Sequence, residues 1–272
     1  MNGTNPVTLP QREPHVLREH ATWTIIDKPP RWHTLAKTVP GTVFSHETEV
    51  ETWLKHRFAW AKPLDEAGIV HRLDYETSGC LLVAKSAAEQ QRLREMFQRD
   101  DSAIRKIYLA IVEPGLPDSG EFRLFFTSRY KRSKKVTVRD AGDPRNEGRC
   151  RWRVLRCQLS SPSGSKSPLG DKGAGREGEF AEGELIEIQL LGPGRRHQIR
   201  AGLAFLGHPL VGDHLYGGQT PPPSQREGAT EWMQRGSNHQ KDEAEFFLHA
   251  WKLTVDGVET TAPMPDHWPA IA

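Results

Sequence analysis

Residues 71–85 read HRLDYETSGCLLVAK, and the interpretation of the whole chain starts from this stretch. Its second half is a short apolar run typical of a buried strand, whereas its first half is dense in charged and polar side chains. A polar loop held at the end of a rigid strand is a common location for an active site. Asp74 is the most versatile group in the loop, because a carboxylate can serve as nucleophile, general base or metal ligand.

A second polar cluster occupies residues 192–200, GPGRRHQIR. A strand is predicted before it, over 184–190, and a helix after it, because Ile199, Leu203 and Leu206 recur at helical spacing before Gly207. A glycine turn with two arginines at a helix N-terminus favours an anion-binding site. The alternative is a dinucleotide-binding turn, but the third glycine of GxGxxG is missing.

Periodicity over the remaining chain predicts alternating strands and helices without a regular βαβ repeat. Strands are predicted over 23–27, 80–84, 106–113, 150–159, 184–190 and 246–255. Ser45 is the predicted cap of one helix, and Ser86 with Glu89 forms a predicted capping box for another that ends near residue 98. This pattern indicates an α+β domain built on a largely antiparallel sheet.

Composition excludes several classes of protein. The chain has 272 residues, of which 36% are hydrophobic and 26% charged, which argues against wholesale disorder, collagen and coiled coil. No apolar run approaches the length of a membrane span, and no secretory signal is visible. The three cysteines are odd in number and lack CxxC spacing, so we expect no metal and a reducing, cytoplasmic setting.

Charge is distributed unevenly along the chain, although the net charge is only +2. Residues 123–156 contain twelve Lys or Arg and three Asp or Glu, an excess of nine positive charges. Such a segment favours a polyanionic partner. The alternative is a solvated hairpin that is merely rich in basic residues.

Two long segments divide the chain without suggesting a domain boundary. Residues 160–183 and 217–243 are rich in Ser, Gly or Pro and poor in core-forming residues, and predicted strands flank both. We therefore expect a flexible arm over 1–20 and a single catalytic domain over 21–272, with flexible insertions at these two places.

Several motifs together resemble the RluA-type RNA pseudouridine synthases. Residues 71–85 are similar to the family's catalytic motif, and residues 106–113, KIYLAIVE, to its tyrosine strand. Residues 194–216 are similar to its arginine motif. Further similarities lie at 26–30 (IDKPP) and 248–253 (LHAWKL). The resemblance spans roughly 22–268 and implies a pseudouridine-synthase-like catalytic domain with flanking helices and a central RNA-binding cleft.

The resemblance implies the catalytic residues. Asp74 stands at the family's essential aspartate, which detaches uracil from C1′ of its ribose so that it rotates and rejoins through C5. Whether it attacks as a nucleophile or abstracts a sugar proton stays open. Tyr108 matches the tyrosine that stacks on uracil or helps to remove the C5 proton. Arg200 matches the arginine that pairs with the aspartate, and Arg195 is the alternative candidate for this role.

The resemblance also implies RNA contacts. Arg72 matches the position that fills the gap left by a flipped base. The other predicted RNA-binding residues are His71, Arg195, Arg129, Lys131, Arg132, Lys134 and Lys135. No S4-type module fits before residue 23, so we expect RNA affinity to come from the catalytic domain. Gly202 departs from the family, which often has His there.

The predicted function is an isomerase that modifies uridine in ribosomal or transfer RNA, acting without cofactor, metal or membrane and as a monomer. Two alternatives remain. One is a non-catalytic RNA-binding or RNA-chaperone protein, against which the presence of Asp74, Tyr108 and Arg200 argues. The other is an unrelated hydrolase that uses Asp74 with His71 or His197.

Overall fold

A single large sheet dominates the computed structural model, which describes residues 12–36, 48–100, 103–128, 130, 133–155, 183–218, 246–265 and 268. Within these ranges the chain forms ten strands and three α-helices. The strands are β1 (His15–Glu19), β2 (Trp23–Lys28), β3 (Ser78–Ala84), β4 (Arg105–Val112), β5 (Ser119–Thr127), β6 (Thr137–Arg139), β7 (Glu147–Val154), β8 (Glu184–Leu191), β9 (Leu248–Val255) and β10 (Val258–Thr261). The helices are α1 (Val50–Arg57), α2 (Ala87–Gln98) and α3 (Gln198–Phe205).

The strand order is β1-β2-β3-β9-β4-β8-β7-β5-β6, and β10 pairs with β9. Every pairing is antiparallel except that of β3 with β9, where Ser78 lies opposite His249 and Gly79 opposite Ala250. Gly79 has a φ of 103°, and a Cβ there would lie 2.3 Å from the Ala250 carbonyl oxygen, so the close approach requires glycine. The predicted α+β class with a largely antiparallel sheet is confirmed.

The central strands have two distinct faces. Tyr108, Ile188 and Trp152 lie opposite one another on β4, β8 and β7, and α3 packs over this front face. The alternate residues of β7, Arg151 and Arg153 among them, point to the back face. The front face therefore carries the core beneath α3, whereas the back face carries charged side chains on β7 and a smaller apolar cluster on β4 and β8.

The predicted strands are confirmed, most with small shifts at their ends. The strand predicted over 150–159 is Glu147–Val154 instead, and residues 156–159 lie outside the described residues. The helices need two corrections. Helix α1 begins at Val50 with Glu49 before it, and the predicted cap Ser45 lies outside the described residues. Ser86 caps α2 by accepting a hydrogen bond from the Glu89 backbone N–H at 3.2 Å. The Glu89 carboxylate does not complete the capping box, because it accepts hydrogen bonds from the Arg92 and Thr22 side chains instead.

The expectation of a flexible arm over 1–20 is wrong for residues 15–19. These form β1, an edge strand whose backbone pairs with β2 although its side chains are mostly exposed, so the hydrogen-bonded ladder holds it without a hydrophobic signal. Most of the expected insertions, at 160–183 and 217–243, lie outside the described residues. Among the helices described, none is long and apolar enough to cross a membrane.

Candidate active site

The loop that carries Asp74 is held by the segment after β2. Lys28 is fully buried, and its ammonium donates hydrogen bonds to the carbonyl oxygens of Thr77 at 2.7 Å, Pro29 at 2.9 Å and Tyr75 at 3.1 Å. Three acceptors satisfy the three N–H donors of a charged lysine. Burial nevertheless lowers the pKa of Lys28 to about 7, although the nearby carboxylates oppose the shift. Through these hydrogen bonds the buried amine of Lys28 holds the backbone on the C-terminal side of Asp74.

A second clamp acts on the N-terminal side of Asp74. The Thr34 hydroxyl donates to the Leu73 carbonyl at 2.7 Å, and the Leu73 N–H lies 3.2 Å from the same hydroxyl oxygen. Arg31 adds a backbone N–H bond to the Tyr75 carbonyl at 2.8 Å. The loop is therefore rigid in its backbone, while the Asp74 side chain remains 31% exposed and open to a substrate.

Arg200 joins Asp74 to a buried carboxylate behind it. Its Nη1 donates to Asp74 Oδ2 at 2.9 Å, while Nε and Nη2 donate to the two oxygens of Asp213 at 2.7 and 3.0 Å. Arg200 is 7% exposed and Asp213 is completely buried. Burial works against the charged guanidinium, but the hydrogen bonds and charge of Asp213, together with Asp74, more than offset it and raise the pKa of Arg200.

The predicted pairing of Asp74 with an arginine is met by Arg200 rather than by the alternative, Arg195. The Arg195 guanidinium donates from Nε to the Glu147 carbonyl at 2.7 Å, and its backbone N–H donates to Gln198 Oε1 at 2.7 Å. These bonds tie the start of α3 to β7. Arg195 thus lies near the site without contacting the Asp74 carboxylate.

Two aromatic rings contact the Arg200 guanidinium. The Phe246 ring centroid lies 4.0 Å and the Tyr216 ring centroid 5.3 Å from its central carbon. Contacts of this kind favour the cation and restrict the orientation of its plane. Together with Asp213, they leave Nη1 directed at Asp74.

Tyr108 projects from β4 onto the front face, between two hydrophobic clusters, and is partly exposed. Burial, with the negative charge of Asp74 as a further cause, raises the pKa of its phenol above the usual value. Its hydroxyl is therefore protonated at neutral pH. The structure thus brings Asp74, Tyr108 and Arg200 to the same region of the front face.

Sequence reasoning missed Asp213 and Tyr216 and gave His197 a part only in a hydrolase. Asp213 is the one carboxylate in the apolar run PLVGD after α3. A lone acid within an apolar run is the sequence feature that could have predicted a buried ion pair. His197 places Nε2 at 3.8 Å from Asp74 Oδ1 and Nδ1 at 2.7 Å from the Tyr216 hydroxyl. Burial lowers the pKa of His197 to about 4, so its ring is neutral at pH 7.

His71, predicted to bind RNA, has a structural position. Its ring stacks on Phe97 with centroids 4.7 Å apart, and its Nε2 accepts the Leu82 backbone N–H at 3.1 Å. Burial, reinforced by the charge of Lys106, lowers the pKa of His71 to about 3. A neutral imidazole that is already used as a backbone acceptor is poorly suited to bind phosphate, so we leave His71 out of the RNA contacts. Arg72, beside it, is exposed.

Among the described residues of the predicted basic segment, two lysines border the site. Lys134 and Lys135, here called the hairpin lysines, are exposed in the connection between β5 and β6. The Arg196 guanidinium binds this connection through the carbonyls of Ser133 and Lys134, the latter at 2.7 Å. The remaining predicted contacts in this connection, Arg129, Lys131 and Arg132, lie outside the described residues.

The arginines of β5 and β7 lie on the back face and are paired there. Salt bridges join Arg151 to Glu121 at 3.2 Å and Arg153 to Glu187 at 2.9 Å. Arg123 likewise pairs with Glu147 at 2.6 Å. The excess of basic residues in the sequence segment is therefore partly compensated by acids on neighbouring strands, and these arginines point away from the face that carries Asp74.

The departure at Gly202 has a local explanation. A Cβ at this position of α3 would lie 2.5 Å from Cζ of Phe122, whose ring fills the space beneath the helix. The aromatic ring of β5 thus occupies volume that a side chain at 202 would need. A glycine there is a packing requirement of this chain.

The assembled groups suit chemistry on a polar substrate that reaches the front face. They comprise an accessible carboxylate, a buried arginine that directs it, a protonated phenol and a neutral imidazole. Among the described residues, no group of three or more His, Cys, Asp or Glu side chains is arranged to hold a metal ion.

Comparison with known proteins identifies relatives of this fold and site. Residues 23–205 match the family model described as RNA pseudouridylate synthase. The chain is 31% identical over 215 residues to "Ribosomal large subunit pseudouridine synthase D" of Xylella fastidiosa, covering 78% of this chain and 56% of the relative. It is 28% identical to the protein of the same name from Nitrosomonas europaea, covering 94% of this chain and 63% of the relative. The chain thus spans less than two thirds of the length of these relatives.

A solved structure shows the same fold. The human protein titled "RNA Pseudouridylate Synthase Domain Containing 4" superimposes with a TM-score of 0.58 at 18% identity, covering 92% of this chain and 88% of the other.

Proposed function

Because the chain belongs to the RNA pseudouridylate synthase family, we propose that it isomerises uridine to pseudouridine in structured RNA, with Asp74 as the catalytic aspartate. The observation that carries this proposal is the 2.9 Å bond from the buried Arg200 to the accessible Asp74. Such a pair presents one carboxylate in one direction to a bound nucleotide. We further propose that residues 21–272 form one catalytic domain.

The reaction breaks the N1–C1′ bond of uridine and forms a C5–C1′ bond after uracil has rotated. A proton leaves C5 and N1 gains one, so product and substrate are isomers and no oxidant or reductant is consumed. Asp74 assists the cleavage, as a nucleophile or as a base towards the sugar. Tyr108, which is protonated, offers a ring on which uracil stacks.

Large-subunit ribosomal RNA is the substrate we propose to test first, with transfer RNA as the comparison. The relatives from Xylella fastidiosa and Nitrosomonas europaea bear the name of ribosomal large subunit enzymes. The hairpin lysines and Arg72 are exposed and are proposed to bind phosphates beside Asp74. We also propose that the protein is a monomer. We propose that it works in the cytoplasm, in line with the free thiols of Cys80 and Cys150.

The test is tritium release from RNA that contains uridine labelled at C5. Wild-type protein should release tritium, and Asp74→Asn should release none while keeping the melting temperature of the wild type, since the side chain is partly exposed. Asp140→Asn, at an exposed carboxylate, is the matched control and should keep full activity. RNA binding without tritium release by the wild type would instead favour the non-catalytic RNA-binding alternative.

A further inference from the structure

His197 has a strained backbone at the edge of the site. It precedes α3 with φ 52° and ψ 25°, in the left-handed region that few residues other than glycine adopt. Such a conformation costs free energy and persists where the surrounding contacts determine it, often at functional sites. The strain therefore raises the question of what the His197 side chain does.

The side chain of His197 lies between Tyr216 and the catalytic carboxylate. Its Nδ1 is 2.7 Å from the Tyr216 hydroxyl oxygen, and its Nε2 is 3.8 Å from Asp74 Oδ1. Only 12% of the side chain is exposed. Asp74 thus faces His197 with the one carboxylate oxygen that Arg200 does not bind.

The Tyr216 hydroxyl has a second partner. The backbone N–H of Val136 donates to this oxygen at 3.0 Å, and a backbone N–H can only donate. Val136 thereby takes one of the two lone pairs of this oxygen. The negative charge of Asp74 near Nε2 favours a proton on that nitrogen of His197, which leaves Nδ1 to accept the phenolic hydrogen. A neutral imidazole that accepts at Nδ1 carries its proton on Nε2, the atom that faces Asp74.

We propose that His197 is a positioning residue for Asp74, and that Tyr216 fixes the tautomer that lets it act. Arg200 binds Oδ2, and Nε2–H of His197 faces Oδ1, so the two groups restrict rotation of the carboxylate from both sides. The distance of 3.8 Å is longer than a hydrogen bond and shortens when uridine occupies the cleft, as catalytic hydrogen bonds commonly do. This inference rests on the proposed function.

Tyr216→Phe tests the proposal, because it keeps the ring over Arg200 and removes only the hydroxyl. The single-turnover rate should fall about 2- to 13-fold, the loss of roughly one neutral hydrogen bond in the transition state, with RNA affinity changed less than about twofold. A merely structural tyrosine would lower the melting temperature and leave the rate of the folded protein unchanged. That unchanged rate would overturn the proposal.

His197→Gln should make the rate independent of the Tyr216 hydroxyl. The glutamine amide N–H₂ has a similar reach towards Asp74 and can donate a hydrogen bond without depending on a tautomer. In a His197→Gln background, Tyr216→Phe should alter the single-turnover rate less than about twofold, because the two residues act as a unit. Full additivity of the two substitutions would contradict the proposal. The matched control is His208→Gln, beyond the other end of α3, which should leave the rate unchanged.

A measurement without substrate separates this inference from the proposed function. Nitrogen-15 NMR of the His197 ring should show the Nε2–H tautomer in the wild type and a mixture in Tyr216→Phe. An Nδ1–H tautomer in the wild type would refute the inference even if tritium is released. A wild-type protein that releases no tritium would refute the proposed function, and the ring tautomer would still decide whether Tyr216 controls His197.

Discussion

Replacing Arg200 should damage the fold and the chemistry by different amounts, and the two effects can be separated. Arg200→Met keeps apolar contact with the two aromatic rings but removes the charge. It leaves Asp213, which is completely buried, as an unpaired carboxylate, so the free energy of unfolding should fall by about 3–5 kcal/mol. For a domain of this size the melting temperature should fall by about 6–20 °C.

The catalytic effect follows from the bond to Asp74. A charge-assisted hydrogen bond contributes about 1.5–3 kcal/mol, and Asp74 is 31% exposed, so solvent replaces part of what is lost. The full bond corresponds to a factor of about 10 to 150, so the single-turnover rate of Arg200→Met should fall by less than that factor at a temperature where the variant is folded. Arg200→Lys should recover only part of the rate, because an ammonium cannot bind both carboxylates in the same fork geometry.

The double variant Arg200→Met with Asp213→Asn separates the two effects. A buried neutral amide without partners costs about 1–3 kcal/mol, which is less than a buried charge, so part of the lost stability should return. The single-turnover rate should stay low, because Asp74 still lacks its partner. Thermal unfolding and single-turnover tritium release measure the two quantities. A rate that recovers together with stability would show that Arg200 acts only through the fold.

Three further predictions concern other parts of the molecule. Changing both hairpin lysines to Ala should reduce the slope of log RNA affinity against log salt concentration by about 1.4. The back-face double variant Arg151→Ala/Arg153→Ala should leave this slope unchanged. An equal effect of the two double variants would place the RNA elsewhere on the protein. His71 has a pKa of about 3 in the folded state, so its contribution to stability is complete above pH 6.5 and is lost towards pH 3. Between pH 6.5 and 4, the free energy of unfolding of His71→Gln should therefore decline less than that of the wild type. An equal decline in the two proteins would contradict the low pKa of His71. Gly202→Ala should lower the free energy of unfolding by about 1–3 kcal/mol because of the ring packed against it. Gly194→Ala should change it little, because a Cβ there would make only an ordinary contact with Leu190 Cδ2 at 3.8 Å; chemical denaturation compares the two.

Local sequence predicted most of the elements, and the family resemblance supplied the pairing of Asp74 with Arg200. The run at 80–84 and the helical spacing of Ile199 and Leu203 identified β3 and α3, because hydrophobic periodicity records which side of an element is buried. The two motifs that contain Asp74 and Arg200 lie far apart in the chain. Only the family resemblance indicated that they meet, since no local pattern encodes that contact.

Counting charges could not predict which face of the sheet the arginines of the basic segment occupy. Arg151 and Arg153 alternate with the buried Cys150 and Trp152, which indicates one common face for the arginines. Which face carries the active site, and which acids lie opposite, depends on strand pairing. The partners of these arginines come from β5 and β8, and their registers are set by the whole sheet.

The burial of two charged side chains, Lys28 and Asp213, also could not be predicted from the sequence. Lys28 ends an apolar strand, and the acceptors that make its burial tolerable are carbonyls of Tyr75 and Thr77, more than forty residues further along the chain. Likewise, the burial of Asp213 depends on the Arg200 fork. A charged residue carries no local sign that compensating groups exist elsewhere, so sequence reasoning assigns it to the surface by default.

The place of β9 in the sheet has a consequence for the nascent chain. This strand is synthesised after β1–β8, yet it lies between β3, which continues from the Asp74 loop, and β4. Until residues 248–255 have left the ribosome, the sheet consists of two separate parts, β1–β3 and β4–β8, with Asp74 attached to one and Arg200 to the other. Closing such a sheet is a late, long-range event. The two halves of the candidate site are therefore expected to come together only after the joining strand has left the ribosome.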